Sequence, residues 1–277
     1  MNMASARQAA PDLRVLKTIR TGAQEEETER FHSFHEMFYV AEGSCSVFIG
    51  QRVHRLKKGD FAVIPAGTVH RTDYLSAGQN TKIVLSFSKR TAREIDQFLG
   101  EELTARSLRP GRIRSPLQRQ EAVGLLLNRM LYEYENQPAH AHSFCKACLT
   151  ELLISLIRYR EGEEEADGLV SPEDERIRAV AEYISAHLQE DLTLPQLAEV
   201  FALSPSHLSR TFHAATGIPL REYLVNLRIQ KAMELLLNTE KNITEISGLC
   251  GFRDSNYFGD AFRKATGLSP RDWRKNA

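Results

Sequence analysis

The chain has 277 residues, more than one average domain and comfortable for two. Its residues are 42% hydrophobic and 26% charged, which supports packed cores and excludes wholesale disorder. The 36 Lys and Arg balance 36 Asp and Glu, which excludes a polybasic nucleic-acid coat and a field that would hold the chain on a membrane surface. No apolar run approaches the ~18 residues of a membrane span, so no membrane partner is expected. Residues 1–11 lack the apolar stretch of a secretory signal, and four cysteines are too few for a disulfide scaffold. The expected compartment is the cytoplasm.

From about Phe31 to Ser88 the pattern reads as β. Short apolar runs at 37–41, 46–49, 61–64 and 82–87 alternate with turn residues such as Glu42-Gly43, Gly50-Gln51 and Lys58-Gly59-Asp60. Close spacing of short strands predicts a barrel or sandwich rather than a parallel sheet with crossover helices. After Lys89 the period becomes helical. Leu126, Met130 and Tyr134 recur every four residues, as do Leu149, Leu153 and Ile157, which predicts two amphipathic helices at 117–135 and 143–160. The apolar stripe from Leu149 to Ile157 reads as core or as a seam between two copies. Residues 161–175 are acidic and poor in apolar side chains and read as a linker, closed by Ser171 as N-cap and Pro172 at the first helical position.

The last hundred residues hold two copies of one pattern, offset by 49 early and 50 late. Leu203 matches Phe252, Leu208 matches Phe258, and Thr216-Gly217 matches Thr266-Gly267. Two copies are too few for a solenoid, so a tandem pair of small units is expected. Each begins with a capping-box pattern, Thr193 with Gln196 and Asn242 with Glu245. A short helix, a break and a second helix starting at Ser204-Pro205 or Asp254 follow, the layout of a helix-turn-helix. There the second helix enters the major groove and its first turns face base edges. From Leu192 onward 11 Lys and Arg face 8 Asp and Glu, a mildly basic balance.

These residues resemble the AraC/XylS family of regulators. The first half of its DNA-binding domain is matched by Leu194, Leu197, Ala198, Phe201, Leu203, Ser204, Ser206, His207, Leu208, Ser209, Arg210, Phe212 and Gly217. Arg228, Ala232, Leu235 and Leu236 match its long connecting helix, here about 219–238. The second half is matched by Ile243, Glu245, Ile246, Gly251, Phe252, Asp254, Asn256, Tyr257, Phe258, Phe262, Arg263, Lys264, Gly267, Ser269, Pro270, Trp273 and Arg274. The resemblance implies base-facing positions at Ser206, His207, Ser209 and Arg210, and at Ser255, Asn256, Gly259 and Asp260. Arg263 and Lys264 are implied phosphate contacts. Asp260 departs from the family pattern, because an acid near phosphates is repelled unless it accepts from cytosine.

Gly59 to His70 is similar to the second cupin motif, G-x5-P-x-G-x2-H, and Glu36 to Gly43 resembles the strand and turn of the first. His32, Glu36 and His70 fall on that fold's ligand positions, but Arg30 and Tyr74 replace two further expected residues. The site is therefore read as a pocket for an organic effector, lined by Arg30, His32, Glu36, Tyr39 and His70, with no metal and no cofactor assigned. A second cluster, His140, His142, Cys145 and Cys148, lacks the two separated ligand pairs of a structural zinc site.

The fold expected is α+β. A cupin-like sensing barrel (1–90) precedes a helical dimerisation region (91–160), the linker (161–175) and an all-α double helix-turn-helix domain (176–277). The function expected is sequence-specific transcription regulation, more often activation. Its partners would be promoter DNA, RNA polymerase, a small-molecule effector and a second copy of the chain. The alternative is a metal-dependent cupin enzyme with an accessory helical tail.

Overall fold

The computed structural model describes residues 12–22, 32–74, 78–99, 102–162 and 172–275. Two antiparallel sheets form the N-terminal barrel. The first runs β1 (Leu13–Thr21), β7 (Gln79–Phe87), β2 (His35–Glu42), β5 (Asp60–Ile64) and β8 (Gly111–Arg114). The second runs β4 (Arg52–Lys57), β3 (Ser44–Ile49) and β6 (His70–Tyr74). The four apolar runs read from the sequence lie on β2, β3, β5 and β7. The more polar strands β1, β4, β6 and β8 carry no run of their own and exist through pairing, as in β1 with β7 from Leu13 opposite Phe87 to Thr21 opposite Gln79.

The strand β8 corrects the expectation that the barrel ends at 90. The chain first forms α1 (Lys89–Leu99) and α2 (Glu102–Ser107), then returns to cover the free edge of β5, with Ile113 opposite Phe61 and fully buried. Its single apolar residue between two arginines gives no strand signal in sequence.

Side-chain alternation assigns each sheet face a different partner. On the first sheet Met37, Tyr39, Phe61, Val63, Ile83 and Leu85 point outward and pack against α1, α3 (Leu117–Asn136) and α4 (Ala141–Gly162). Phe38, Val40, Ala62, Ile64 and Val84 point inward and meet Cys45, Val47, Ile49, Leu56 and Tyr74 of the second sheet. The outer face of that second sheet offers Phe48, and Val69 beside it, to the C-terminal helices.

The helices α3 and α4 match the hairpin expected. The stripe between them resolves to core: Leu149, Leu153 and Leu156 are fully buried within the chain, so they are not the seam between copies. The sheet's outer face needed a cover, and this stripe supplies it. The helix α4 reaches Gly162 and α5 (Pro172–Ala186) begins at Pro172, so both ends of the expected linker are helical. Ser171, the expected cap, lies outside the described residues.

The remaining helices are α6 (Leu194–Val200), α7 (Pro205–Thr216), α8 (Leu220–Asn238), α9 (Ile243–Leu249), α10 (Ser255–Thr266) and α11 (Pro270–Lys275). The helix α8 belongs to two cores. Leu220, Tyr223, Leu224 and Leu227 complete the first unit with α5, α6 and α7. Ile229, Ala232, Met233 and Leu236 complete the second with α9 and α10. No described helix is long and apolar enough to cross a membrane.

Candidate nucleic-acid interface and sensor site

Both helix-turn-helix units are built by local capping. Thr193 accepts from the backbone N–H of Gln196, whose side chain returns to Thr193, and Asn242 and Glu245 repeat the exchange. Ser204 caps α7 by accepting from His207 N–H at 3.2 Å, and Pro205 occupies the first helical position. Asp254 caps α10 through Asn256 and Tyr257. Gly217 and Gly267 close the two helices in the left-handed conformation, at φ 70° and 81°.

This geometry decides which side chains a duplex could meet. On α7, Leu208 and Phe212 are fully buried, so Ser206, His207 and Arg210 are exposed and Ser209 is half-buried. On α10, Phe258 and Phe262 are buried, leaving Ser255, Asn256 and Asp260 exposed and Gly259 half-buried. Arg263 and Lys264 are exposed in the last turn of α10. All ten expected DNA-facing positions thus lie on two exposed helix faces. Tyr257, also at the start of α10, is 47% exposed.

In the barrel three expected residues converge. His32 Nε2 lies 3.8 Å from Glu36 Oε2, and His70 Nε2 lies 4.0 Å from Glu36 Oε1. All three residues are largely or wholly buried, and the histidine rings meet edge-on at 4.9 Å. Tyr39 does not join them. It lies an odd number of residues from Glu36 on β2, so it faces the helices, packs with its ring tilted against Phe61 at 4.9 Å, and has its phenol pKa raised by burial. Arg30 lies outside the described residues.

The structure adds two residues that the sequence did not mark. Arg14 and Glu36 flank Ser86 on neighbouring strands of the inner face, and Arg14 Nη2 donates to Ser86 Oγ at 3.5 Å. Phe34 stacks on His32 at 4.0 Å and 3°. Recognising Arg14 required β1, for which the sequence gave no run. The neighbouring His35 is held neutral, its pKa lowered to about 4 chiefly by burial and also by Lys89. Its Nδ1 accepts from Ala66 N–H.

The donor set suits a metal in type, with two imidazoles and one carboxylate whose ligand atoms all lie within 4.8 Å of one another. Among the described residues it is the one such cluster. The cysteine cluster does not assemble: Cys145 and Cys148 are buried while His140 and His142 are exposed. Cys145 Sγ donates to the Met130 carbonyl, and burial pushes its thiol up to about 11.

Two helix-turn-helix units on one bridging helix, behind a two-sheet barrel, define a two-domain DNA-binding regulator. Comparison with known proteins agrees. The family described as Helix-turn-helix domain matches residues 197–276, and that described as Cupin domain matches residues 15–86. The HTH-type transcriptional activator RhaS of Enterobacter sp. (strain 638) is 28% identical over 250 residues, covering 89% of this chain and 87% of that protein. The HTH-type transcriptional activator RhaR of Cronobacter sakazakii is 26% identical over 256 residues, covering 89% and 86%. Among solved structures, the C-terminal domain of the response regulator AraT from Geobacillus stearothermophilus is 39% identical. It covers 40% of this chain and 89% of that one, with a TM-score of 0.37. The chain thus carries an AraC-type helix-turn-helix domain behind a cupin domain and is similar over most of its length to AraC-family activators.

Proposed function

We propose that the chain is an effector-responsive, sequence-specific regulator that binds promoter DNA through α7 and α10 and acts more often as an activator than as a repressor. The carrying observation is the paired presentation of His207 and Arg210 on one capped helix and Asn256 and Asp260 on its counterpart, each exposed on a helix whose other face is buried. The relatives are named transcriptional activators, which supports activation and a regulator rather than an enzyme, and an activator would work by contact with RNA polymerase. A small-molecule effector held in the barrel beside His32, Glu36 and His70 would shift DNA affinity only by binding two arrangements of the protein unequally. The compartment would be the cytoplasm.

The chain would work as a homodimer. With Leu153 committed to the core, the seam falls on the outer surface of α1, α3 and α4. There Phe98, Leu117 and Leu125 are 82%, 84% and 61% exposed, beside a groove of about 950 Å³. A second copy would cover this apolar surface.

The test is selection of duplexes from a random pool by the full-length chain, at one fixed salt concentration because phosphate contacts make affinity salt-dependent. An enriched site is expected. Arg210→Ala should weaken binding to it about 10-fold or more and relax one base pair, since a guanidinium bidentate to guanine supplies ~1–3 kcal/mol of discrimination. No enrichment, or an Arg210→Ala variant with the wild-type preference at every position, would refute the reading.

A further inference from the structure

We propose that the barrel completes the core of the first helix-turn-helix unit, so that α7 is held in order by the barrel while α10 is held by its own unit. The consequence for DNA rests on the regulator reading above and assigns regulation to one half of the bound site.

The two units follow one plan, so positions in the first have counterparts in the second. Thr216 Oγ1 donates to the Phe212 carbonyl and accepts from Ile218 N–H, and Thr266 repeats both bonds with Phe262 and Leu268. Gly217 and Gly267 close the two helices. Phe212 matches Phe262, and Tyr223 on α8 matches Trp273 on α11.

The surroundings of these matched positions differ. On the outer face of the second sheet, Val53, Phe48 and Arg71 are cross-strand neighbours on β4, β3 and β6, and this row meets the first unit. Phe48 is 2% exposed, and its ring lies 5.7 Å from that of Tyr223 and 6.5 Å from that of Phe212. Tyr223 Oη donates to the Gly50 carbonyl at 2.7 Å. Arg71 donates to the carbonyl oxygen of Gly217, and its side chain fills the space that a Cβ on that glycine would need. Val69, just ahead of β6, is buried in the same core, and its carbonyl accepts from Gly50 N–H at 2.8 Å.

The second unit has no such cover. Among the described residues its core is drawn from positions 225–273, with no side chain from the barrel. Trp273 packs edge-on against Phe262 at 5.9 Å and 78°. The indole, larger than a phenol, does there the packing that Tyr223 and Phe48 share in the first unit. Among the described residues, nothing stands within 4 Å of the place a Cβ on Gly267 would take.

Packing energetics turn this asymmetry into a difference in stability. Phe212 and Tyr223 are fully buried with the barrel in place. If the sheet moved away, both rings would lose an aromatic neighbour, and a core that loses one is strongly destabilised. The helix α7 has 12 residues, and a helix of about that length is marginal without tertiary packing. Val69 and Arg71 flank His70, whose side chain is buried in the barrel. A shift of β6 caused by an effector in the barrel therefore reaches the core beneath α7 at once, and reaches α10 through α8 alone. The first recognition helix is the conditional reader and the second the constant one.

The test follows amide hydrogen exchange in the full-length chain by mass spectrometry of peptides from α7 and α10. Phe48→Ala should speed exchange in α7 at least about 10-fold and leave α10 within about 2-fold. Phe48 stands outside the core between the two sheets, so the barrel should stay folded. Tyr223→Phe keeps the ring and removes the bond to Gly50, and should speed α7 at least about 3-fold. Equal acceleration of the two helices, or none in α7, overturns the shared core; should Phe48→Ala fail to fold, Tyr223→Phe decides it. In duplex selection, Phe48→Ala should lose preference at the base pairs that Arg210→Ala relaxes and keep the others. Preference unchanged at every position while α7 is loosened overturns the conditional reader. A wild-type chain that selects no duplex counts against the regulator reading, and the exchange rates still decide the shared core.

Discussion

Gly251→Ala should unfold the second helix-turn-helix unit at markedly lower denaturant. Gly251 and Ala202 occupy the same place in the two repeats, the left-handed residue between the paired helices, at φ 80° and 52°. Each turn is closed by the same bonds, Leu203 N–H to Ala198 O and Phe252 N–H to Ser247 O. The first repeat tolerates a methyl there and leaves it exposed. In the second, a Cβ would lie 2.3 Å from the Leu188 carbonyl oxygen and 3.0 Å from the Arg228 guanidinium. That carbonyl accepts from Arg228 Nε at 2.9 Å, while Arg228 Nη2 donates to Glu190 O at 2.7 Å. The left-handed conformation costs a non-glycine residue ~1–2 kcal/mol. Displacing a carbonyl from a charged donor costs ~1.5–3 kcal/mol more. The total is about 2.5–5 kcal/mol, against a change between zero and about 1 kcal/mol in the stabilising direction for Ala202→Gly. The single tryptophan, Trp273, packs against Phe262 in the affected core, so its fluorescence reports that unit. With a urea slope of ~1.5–2 kcal/mol per molar, the Trp273 midpoint should fall by about 1.3–3.3 M. A midpoint unchanged within about 0.3 M would show that the close approach to Leu188 does not constrain the turn.

Asp260→Ala should leave duplex affinity unchanged or tighten it, because it removes an exposed acid from the face proposed to meet DNA phosphates. A 10-fold loss in a binding isotherm would instead indicate that Asp260 accepts from a cytosine. Phe98→Glu with Leu125→Glu should give folded monomers by sedimentation and circular dichroism, whereas Leu153→Glu, at a fully buried position, should not fold. A wild-type chain that sediments as a monomer at micromolar concentration would refute the seam. Burial holds the Cys145 and Cys250 thiols up at about 11, so a maleimide should label neither at neutral pH while the chain is folded. The unfolded thiols lose their protons near pH 9 and the folded ones near 11, so stability is full below 9 and falls as pH rises through that window. A melting temperature that rises across it would contradict the burial.

The helical half of the molecule was legible because its signals are local. Capping boxes, Pro205 at the first helical position, Gly217 and Gly267 at the ends, and buried residues four apart all act within one or two turns. Helix hydrogen bonds span only four residues, so sequence neighbours suffice to specify them. The repeat then located the second helix of each helix-turn-helix unit and put Arg210 and Asp260 in equivalent places. In the barrel the apolar strands were legible and the polar ones were not. Strands β1, β4, β6 and β8 form because a partner strand satisfies their backbone, and that partner lies far along the chain. Sheet pleating placed Glu36 and Tyr39 on opposite faces of one strand, and only the packing of those faces separated the His32–Glu36–His70 cluster from the helix layer. Leu153 had the spacing of a seam, and the uncovered outer face of the first sheet decided that it is core. The union of His32, Glu36 and His70 was foreshadowed by motif spacing, but their distances and fixed ring orientations depend on two sheets closing. The contact of Arg71 with Gly217, 146 residues away, had no sequence signal, because it follows from how the second sheet docks on α7 and α8.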